Sequence, residues 1–151
     1  MNKALILRHK KENLKKCSLK GLEKDSRFIF LTYPKDTLPD LSDYLLLKVD
    51  GEKELSVEDS NKKIFLIDST WRYLDKILKT ISQNIQTRSL PKNFVTAYPR
   101  VQTGCIDEER GLASIEALYI SFFLTKKDYK GLLDNFYWKE KFLELNRVRL
   151  S

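Results

Sequence analysis

Only one histidine, His9, one methionine and two cysteines, Cys17 and Cys105, occur in this 151-residue chain. The cysteines lie far apart with no second ligand at metal-binding spacing, so they read as reduced thiols and argue against a disulfide framework or a zinc site. A lone histidine near the N-terminus leaves a Ser-His-Asp or Cys-His hydrolase to be built around that single ring. Glycine is scarce too. Gly21, Gly51, Gly104, Gly111 and Gly131 form neither G-x-G-x-x-G nor a Walker loop, which disfavours Rossmann-type methyltransferases and P-loop NTPases. Long apolar runs are missing. The opening Ala4-Leu5-Ile6-Leu7-Arg8 returns to charge too soon for the core of a signal peptide, and no stretch nears the roughly 20 residues that span a bilayer. A cytoplasmic, metal-free protein with no membrane partner is expected.

What the chain does have is enough apolar material for a core, 42%, and an excess of positive charge, 28 Lys and Arg against 21 Asp and Glu. That balance favours an anionic partner such as nucleic acid. Ala4–Leu7, Phe28–Tyr33, Tyr44–Val49 and Ile64–Ile67 carry the strand signature, several of them without alternation, as in strands covered on both faces. Asp50-Gly51 reads as a turn, and Glu52 to Lys63 as a solvated connection or short helix. After Trp71 the period becomes helical, with Leu74, Ile77, Leu78, Ile81 and Ile85 on one face. Phe94–Ala97 reads as a last strand, Pro99 to Gly111 as a loop, and Leu112 to Leu124 and Leu132 to Leu145 as helices. The expected fold class is α/β, a mainly parallel N-terminal sheet over residues 1–86 followed by a mainly helical part over 87–151.

Two carboxylates stand out. Phe65-Leu66-Ile67-Asp68-Ser69-Thr70-Trp71 is an apolar strand ending in a carboxylate, two hydroxyls and an indole, and ligands of open α/β sheets collect beyond the carboxyl ends of the strands. Asp68 is therefore placed for a ligand, although capping by Asp68 and Ser69 and packing by Trp71 explain the same residues. Glu116 falls among Leu112, Tyr119, Ile120 and Phe123 on a helical wheel, so it needs a buried partner. It is either a tie for the preceding loop or a ligand contact.

Asp68-Ser69-Thr70-Trp71 with Leu74-Asp75 resembles the D-C-S-W-x-x-L-D motif of the small-subunit rRNA aminocarboxypropyltransferases, grouped with the DTW-domain proteins that modify tRNA. The likeness is collinear. Asn13-Leu14-Lys15-Lys16-Cys17-Ser18 resembles D-P-K-K-C-S/T, Phe30-Leu31-Thr32-Tyr33-Pro34 a strand ending in L-S-P, and Leu55-Ser56-Val57-Glu58-Asp59 L-S-P-x-D. Arg88-Ser89-Leu90-Pro91 resembles R-x-L-P, Ala97-Tyr98-Pro99 A-N-P, and Leu112-Ala113-Ser114-Ile115-Glu116-Ala117-Leu118 the L-S/T-x-V-E-A-L helix. Phe136-Tyr137-Trp138 and Phe142-Leu143-Glu144-Leu145-Asn146 resemble the ending of the rRNA branch. Tyr98 stands where the family has Asn, and Val101-Gln102-Thr103-Gly104 replaces an Asn-Tyr-Gly turn.

The resemblance implies a SPOUT-like knotted topology and transfer of the 3-amino-3-carboxypropyl group of S-adenosylmethionine to a uridine or pseudouridine of small-subunit rRNA, or of a pre-ribosomal particle, by a monomer. It implies cofactor contacts at Ser18, Leu31, Pro34, Ser56, Trp71, Leu90, Leu112, Ala113 and Ser114, with Asp68 accepting or orienting the nucleotide proton. Arg72, Arg88, Arg100, Arg110, Lys15 and Lys16 are the expected RNA phosphate contacts. The alternatives are the same transfer to tRNA, methyl transfer on a knotted scaffold, or a catalytically silent RNA-binding assembly factor.

Overall fold

The computed structural model describes residues 3–11, 18–69, 71–97 and 112–150, the side chain of Trp71 excepted. Six strands, β1 (Ala4–His9), β2 (Phe28–Tyr33), β3 (Tyr44–Leu47), β4 (Lys53–Glu54), β5 (Lys63–Asp68) and β6 (Gln86–Ser89), form one sheet in the order β2-β1-β5-β3-β6-β4. Every neighbouring pair is parallel. The α/β class with a parallel sheet is as the sequence indicated.

Alternation along each strand decides what covers each face. Ala4, Ile6, Phe28, Leu45, Ile64 and Leu66 point to one side, where they pack with Ile115, Leu118, Ile120 and Phe122 of α2 (Ser114–Leu124) and Phe142 of α3 (Lys139–Leu145). Leu5, Leu7, Tyr44, Leu46, Phe65 and Ile67 point to the other, against Ile77, Leu74 and Leu78 of α1 (Trp71–Thr80). Burial on both faces explains why these strands read as unbroken apolar runs. Each such leucine, isoleucine or phenylalanine contributes roughly 1.5–3 kcal/mol on leaving water. α2 is buried nearly all round, broader than the single stripe the spacing indicated.

Four sequence expectations are corrected. Phe94–Ala97 is not a strand; the sixth strand is Gln86–Ser89, whose polar sequence carries little strand signal. It adds residues beyond 86 to the sheet. Glu52–Lys63 holds the edge strand β4 and a 3-10 turn at Val57–Asp59, with Leu55 and Asp59 buried. Leu132–Leu145 is not one helix: turns occupy its first half, up to Trp138, and only Lys139–Leu145 is helical. Ile81 and Ile85 continue the α1 pattern after that helix has ended, still packing under the same face.

Candidate active site

Connections leave β1 toward β2 on one side and β5 toward β6 on the other. The carboxyl ends of β1 and β5 therefore flank a topological switch point, the place where open parallel sheets bind ligands. Arg8 and Asp68 are register partners there. Asp68 is buried; its Oδ2 accepts from Arg8 Nε at 3.2 Å and its Oδ1 from Ser114 Oγ at 2.9 Å. Arg8 Nη1 also donates to Glu23 Oε2 at 3.0 Å. Burial pushes the Glu23 carboxyl up, but hydrogen bonds from its own backbone, from Arg8 and from Gly21 outweigh it and hold the group below its ordinary 4.5.

The start of α2 is assembled from distant parts of the chain. Its N-cap, Ala113, has no side-chain oxygen, so Ser18 supplies one from 97 residues away, its Oγ accepting from Ile115 N at 3.1 Å. Glu116, fully buried, accepts from Ala113 N at 2.7 Å, Ala97 N at 2.7 Å and Thr96 Oγ1 at 2.6 Å. Of its two sequence readings, the tie is the one these bonds describe. Asn146 holds Val95 in the same stretch, so residues 95–97 are fixed by side chains, and this is why a strand-like sequence joins no ladder.

Ser18, Asp68, Ala113 and Ser114 are thus gathered at one edge of the sheet. Leu90 and Leu112 pack against the core on the α2 side, together with Leu47 at the end of β3. Ser56 lies beyond β4, where its hydroxyl accepts from Glu58 N and its own N–H donates to Asp59. Leu31 and Pro34 are not gathered with them. Leu31 packs on the α1 side of the sheet, and Pro34 follows β2 beside a cavity of about 420 Å³ lined also by Leu7, Leu38, Ile81 and Gln83. The backbone of Trp71 opens α1 three positions after Asp68, where β5 ends.

Among the expected phosphate contacts, Arg72 is exposed on α1. Arg88 is corrected. It is 6% exposed, with Nε 3.3 Å from both oxygens of Asp59 and Nη1 bonded to Thr87 O, so its guanidinium is spent inside the fold. Gly51 backs onto it, leaving no room for a Cβ beside the Arg88 backbone. Arg100, Arg110, Lys15 and Lys16 lie outside the described residues.

Two residues near the edge escaped the sequence reading. Arg8 registered only as the return of charge after an apolar run, and Leu47 as one more strand residue. The signal for Arg8 was its position, level with Asp68 on a neighbouring strand, which pairing alone reveals. His9 is buried and stacked on Tyr73, ring centroids 4.0 Å apart, with Nδ1 accepting from Lys11 N. Burial first, then Lys11, Lys10 and Lys76, hold it below its ordinary 6.5. No cluster of three or more metal-ligating side chains occurs among the described residues, nor any helix long and apolar enough to cross a membrane.

Residues 45–151 match the family described as ribosome biogenesis protein, C-terminal. The 16S rRNA aminocarboxypropyltransferase of Methanobrevibacter smithii is 30% identical over 145 residues, covering 91% of this chain and 79% of that protein. A solved SAM-dependent rRNA:acp-transferase from Vulcanisaeta distributa has the same fold, with a TM-score of 0.73 at 18% identity over 99% of this chain and 82% of that one. On the family match and the 30% identity to that relative, this chain belongs to the rRNA aminocarboxypropyltransferase family.

Proposed function

We propose that the chain transfers the 3-amino-3-carboxypropyl group of S-adenosylmethionine to a uridine- or pseudouridine-type nucleotide of small-subunit rRNA, acting as a cytoplasmic monomer. The observation that carries this reading is the Ser114–Asp68 hydrogen bond, which closes a polar corner at the switch point; Leu47, Leu90 and Leu112, partly buried against the core on the α2 side, would supply the apolar wall. Apolar side chains suit an adenine ring, and hydroxyls and backbone amides suit the polar parts of the ligand, so these residues fit the cofactor. Ser18, Ala113, Ser114 and Ser56 would hold its polar parts by side chain or backbone, and Trp71 would enclose the methyl group. When bound, S-adenosylmethionine would supply a carbon activated by its sulfonium, the carbon–sulfur bond breaking as the new bond to the nucleotide forms and methylthioadenosine leaving as the by-product.

The residues of the chain do the rest. Trp71 adds cation–π attraction of roughly 0.5–2 kcal/mol to a neighbouring positive charge. Asp68, held by Arg8 and Ser114, orients the ring N–H of the acceptor nucleotide or takes its proton. Fixing acceptor and donor in line supplies much of the acceleration. Arg72, Arg100, Arg110, Lys15 and Lys16 would neutralise RNA phosphates. The collinear motifs also support a SPOUT-like knotted threading.

The test uses two cofactor preparations, labelled in the carboxyl group or in the methyl group, incubated with the protein and immature small-subunit rRNA. Carboxyl label is expected on the RNA and methyl label is not. Methyl incorporation would overturn the mechanism, and no incorporation would favour a silent assembly factor.

A further inference from the structure

The transfer reading gives Asp68 a task and Arg8 only the role of its neighbour. Arg8 is nevertheless an expensive residue to bury, because a guanidinium leaves water at a cost that only well-aimed partners offset. Its partners come from three elements. Nε reaches Asp68 on β5 at 3.2 Å, Nη1 reaches Glu23 in the turn Leu22–Lys24 at 3.0 Å, and Cζ lies 4.8 Å from the ring centroid of Phe30 on β2. Glu23 is itself anchored, accepting from Gly21 N at 2.9 Å. The guanidinium plane is thus fixed before Asp68 is considered.

Asp68 inherits this fixity. One oxygen is held from β1 by Arg8 and the other from α2 by Ser114, so rotation about Cβ–Cγ breaks a directional bond on either side. A buried ion pair retained for stability alone is commonly matched or bettered by apolar residues of similar volume. This pair stands at the one edge where the topology opens for a ligand.

We propose that Arg8 is a positioning residue for the transfer reaction, fixing the Asp68 carboxylate in the orientation that meets the acceptor nucleotide. The inference rests on the transfer reading. A lysine cannot replace it, because an ammonium is a point charge without the rigid fork that reaches Asp68 and Glu23 at a set angle.

The first variant is Arg8→Lys, which keeps the charge that makes the buried Asp68 tolerable. Thermal unfolding, calorimetric titration with S-adenosylmethionine, and single-turnover transfer of carboxyl label to rRNA are measured together. The looser pairing is expected to lower the unfolding temperature without unfolding the protein at assay temperature; cofactor affinity should stay within about two-fold of the parent's, while the transfer rate per folded protein falls about ten-fold or more. A rate equal to the parent's overturns the proposal, as does a rate that falls only in proportion to folded protein. A cycle with Arg8→Met and Asp68→Asn adds a readout that a structural role would not move. Removing both charges avoids an unpaired buried ion, and in the Asp68→Asn background Arg8→Met should change the residual rate by less than about three-fold, since the group it acts through is gone. Equal losses in both backgrounds would make Arg8 structural. Where Asp68→Asn is too slow to measure, Arg8→Lys decides alone. A parent that transfers no label sinks the transfer reading itself, whereas an active parent matched by Arg8→Lys sinks only the positioning role.

Discussion

Asn146 and Val95 hydrogen-bond to each other in both directions: Val95 N donates to Asn146 Oδ1 at 2.8 Å, and Asn146 Nδ2 donates to Val95 O at 2.9 Å. The same amide nitrogen also reaches Phe142 O at 2.9 Å, so a fully buried side chain at the end of α3 serves as the missing ladder for residue 95. Asn146→Ala leaves the Val95 N–H and carbonyl without these partners. Val95 is itself exposed and these two bonds are part-buried, so each is worth about 1 kcal/mol and a loss of about 1–3 kcal/mol is expected. Urea unfolding measures it, and a loss under about 1 kcal/mol would mean that water or a neighbour replaces the amide.

Glu116→Gln should also be costly although it changes a single atom. Three donors converge on the carboxylate, and an amide would set its own N–H₂ against one of them. We expect a loss of about 2–4 kcal/mol in stability, accompanied by weaker S-adenosylmethionine binding, because Ala113 and Ser114 lose their anchor. Calorimetry showing parent-like affinity in the folded variant would separate Glu116 from the cofactor site.

Asp68→Asn and Trp71→Ala are expected to fail in opposite ways. The first keeps the shape of the corner and should leave cofactor affinity within a few-fold while turnover collapses. The second removes the ring proposed to enclose the methyl group and should lose cofactor affinity far more than stability. Matching profiles for the two variants would contradict the division of labour between carboxylate and indole.

His9 sets a pH dependence. Its pKa in the fold lies below the 6.5 of the unfolded chain, because of burial and then the charges of Lys11, Lys10 and Lys76. The unfolded state therefore takes up the proton first, so stability is at its full value above pH 6.5 and declines as pH falls below it toward the folded pKa. Glu23 and Asp25, held below their ordinary 4.5 and 3.8, act only at lower pH. Chemical unfolding from pH 7 to 5 should show the decline, and His9→Gln should flatten it. An unchanged slope in that variant would assign the effect elsewhere.

Affinity for rRNA should fall as salt rises, since neutralised phosphates release counterions. Charge reversal at Arg100 or Arg110 is expected to weaken rRNA binding and leave cofactor affinity alone. Reversal at Arg88 should instead unfold the protein, as that guanidinium is paired inside with Asp59. Folded, RNA-competent Arg88→Glu would return it to the surface.

These differences show where the sequence was legible. The strands β1, β2, β3 and β5 announced themselves because burial on both faces leaves unbroken apolar runs. β6 did not, since Gln86-Thr87-Arg88-Ser89 is a strand by its neighbours rather than by its composition. Asp68 and Glu116 were visible as carboxylates in apolar company, but not their partners, because Arg8 and Ser114 reach Asp68 across 60 and 46 residues of chain, and Thr96 and Ala97 reach Glu116 across 20 and 19. Arg88 misled for the same reason: a cation in a polar stretch looks solvated until the strand that buries it is known.

Glu116 binds Ala97 N with one oxygen and Ala113 N with the other, so the two ends of the intervening segment are stapled by a residue that is not part of it. Lengthening a segment whose ends are already fixed costs little, about 0.6 kcal/mol for each doubling. The staple itself asks nothing of the length or charge between its ends, so a relative could carry a longer, shorter or differently charged insert there and keep α2, Ser114 and the polar corner unchanged. On the proposal that Arg100 and Arg110 meet RNA phosphates, exchange of that insert, with everything from Leu112 onward left alone, is a route by which such a scaffold could be retargeted from one RNA to another.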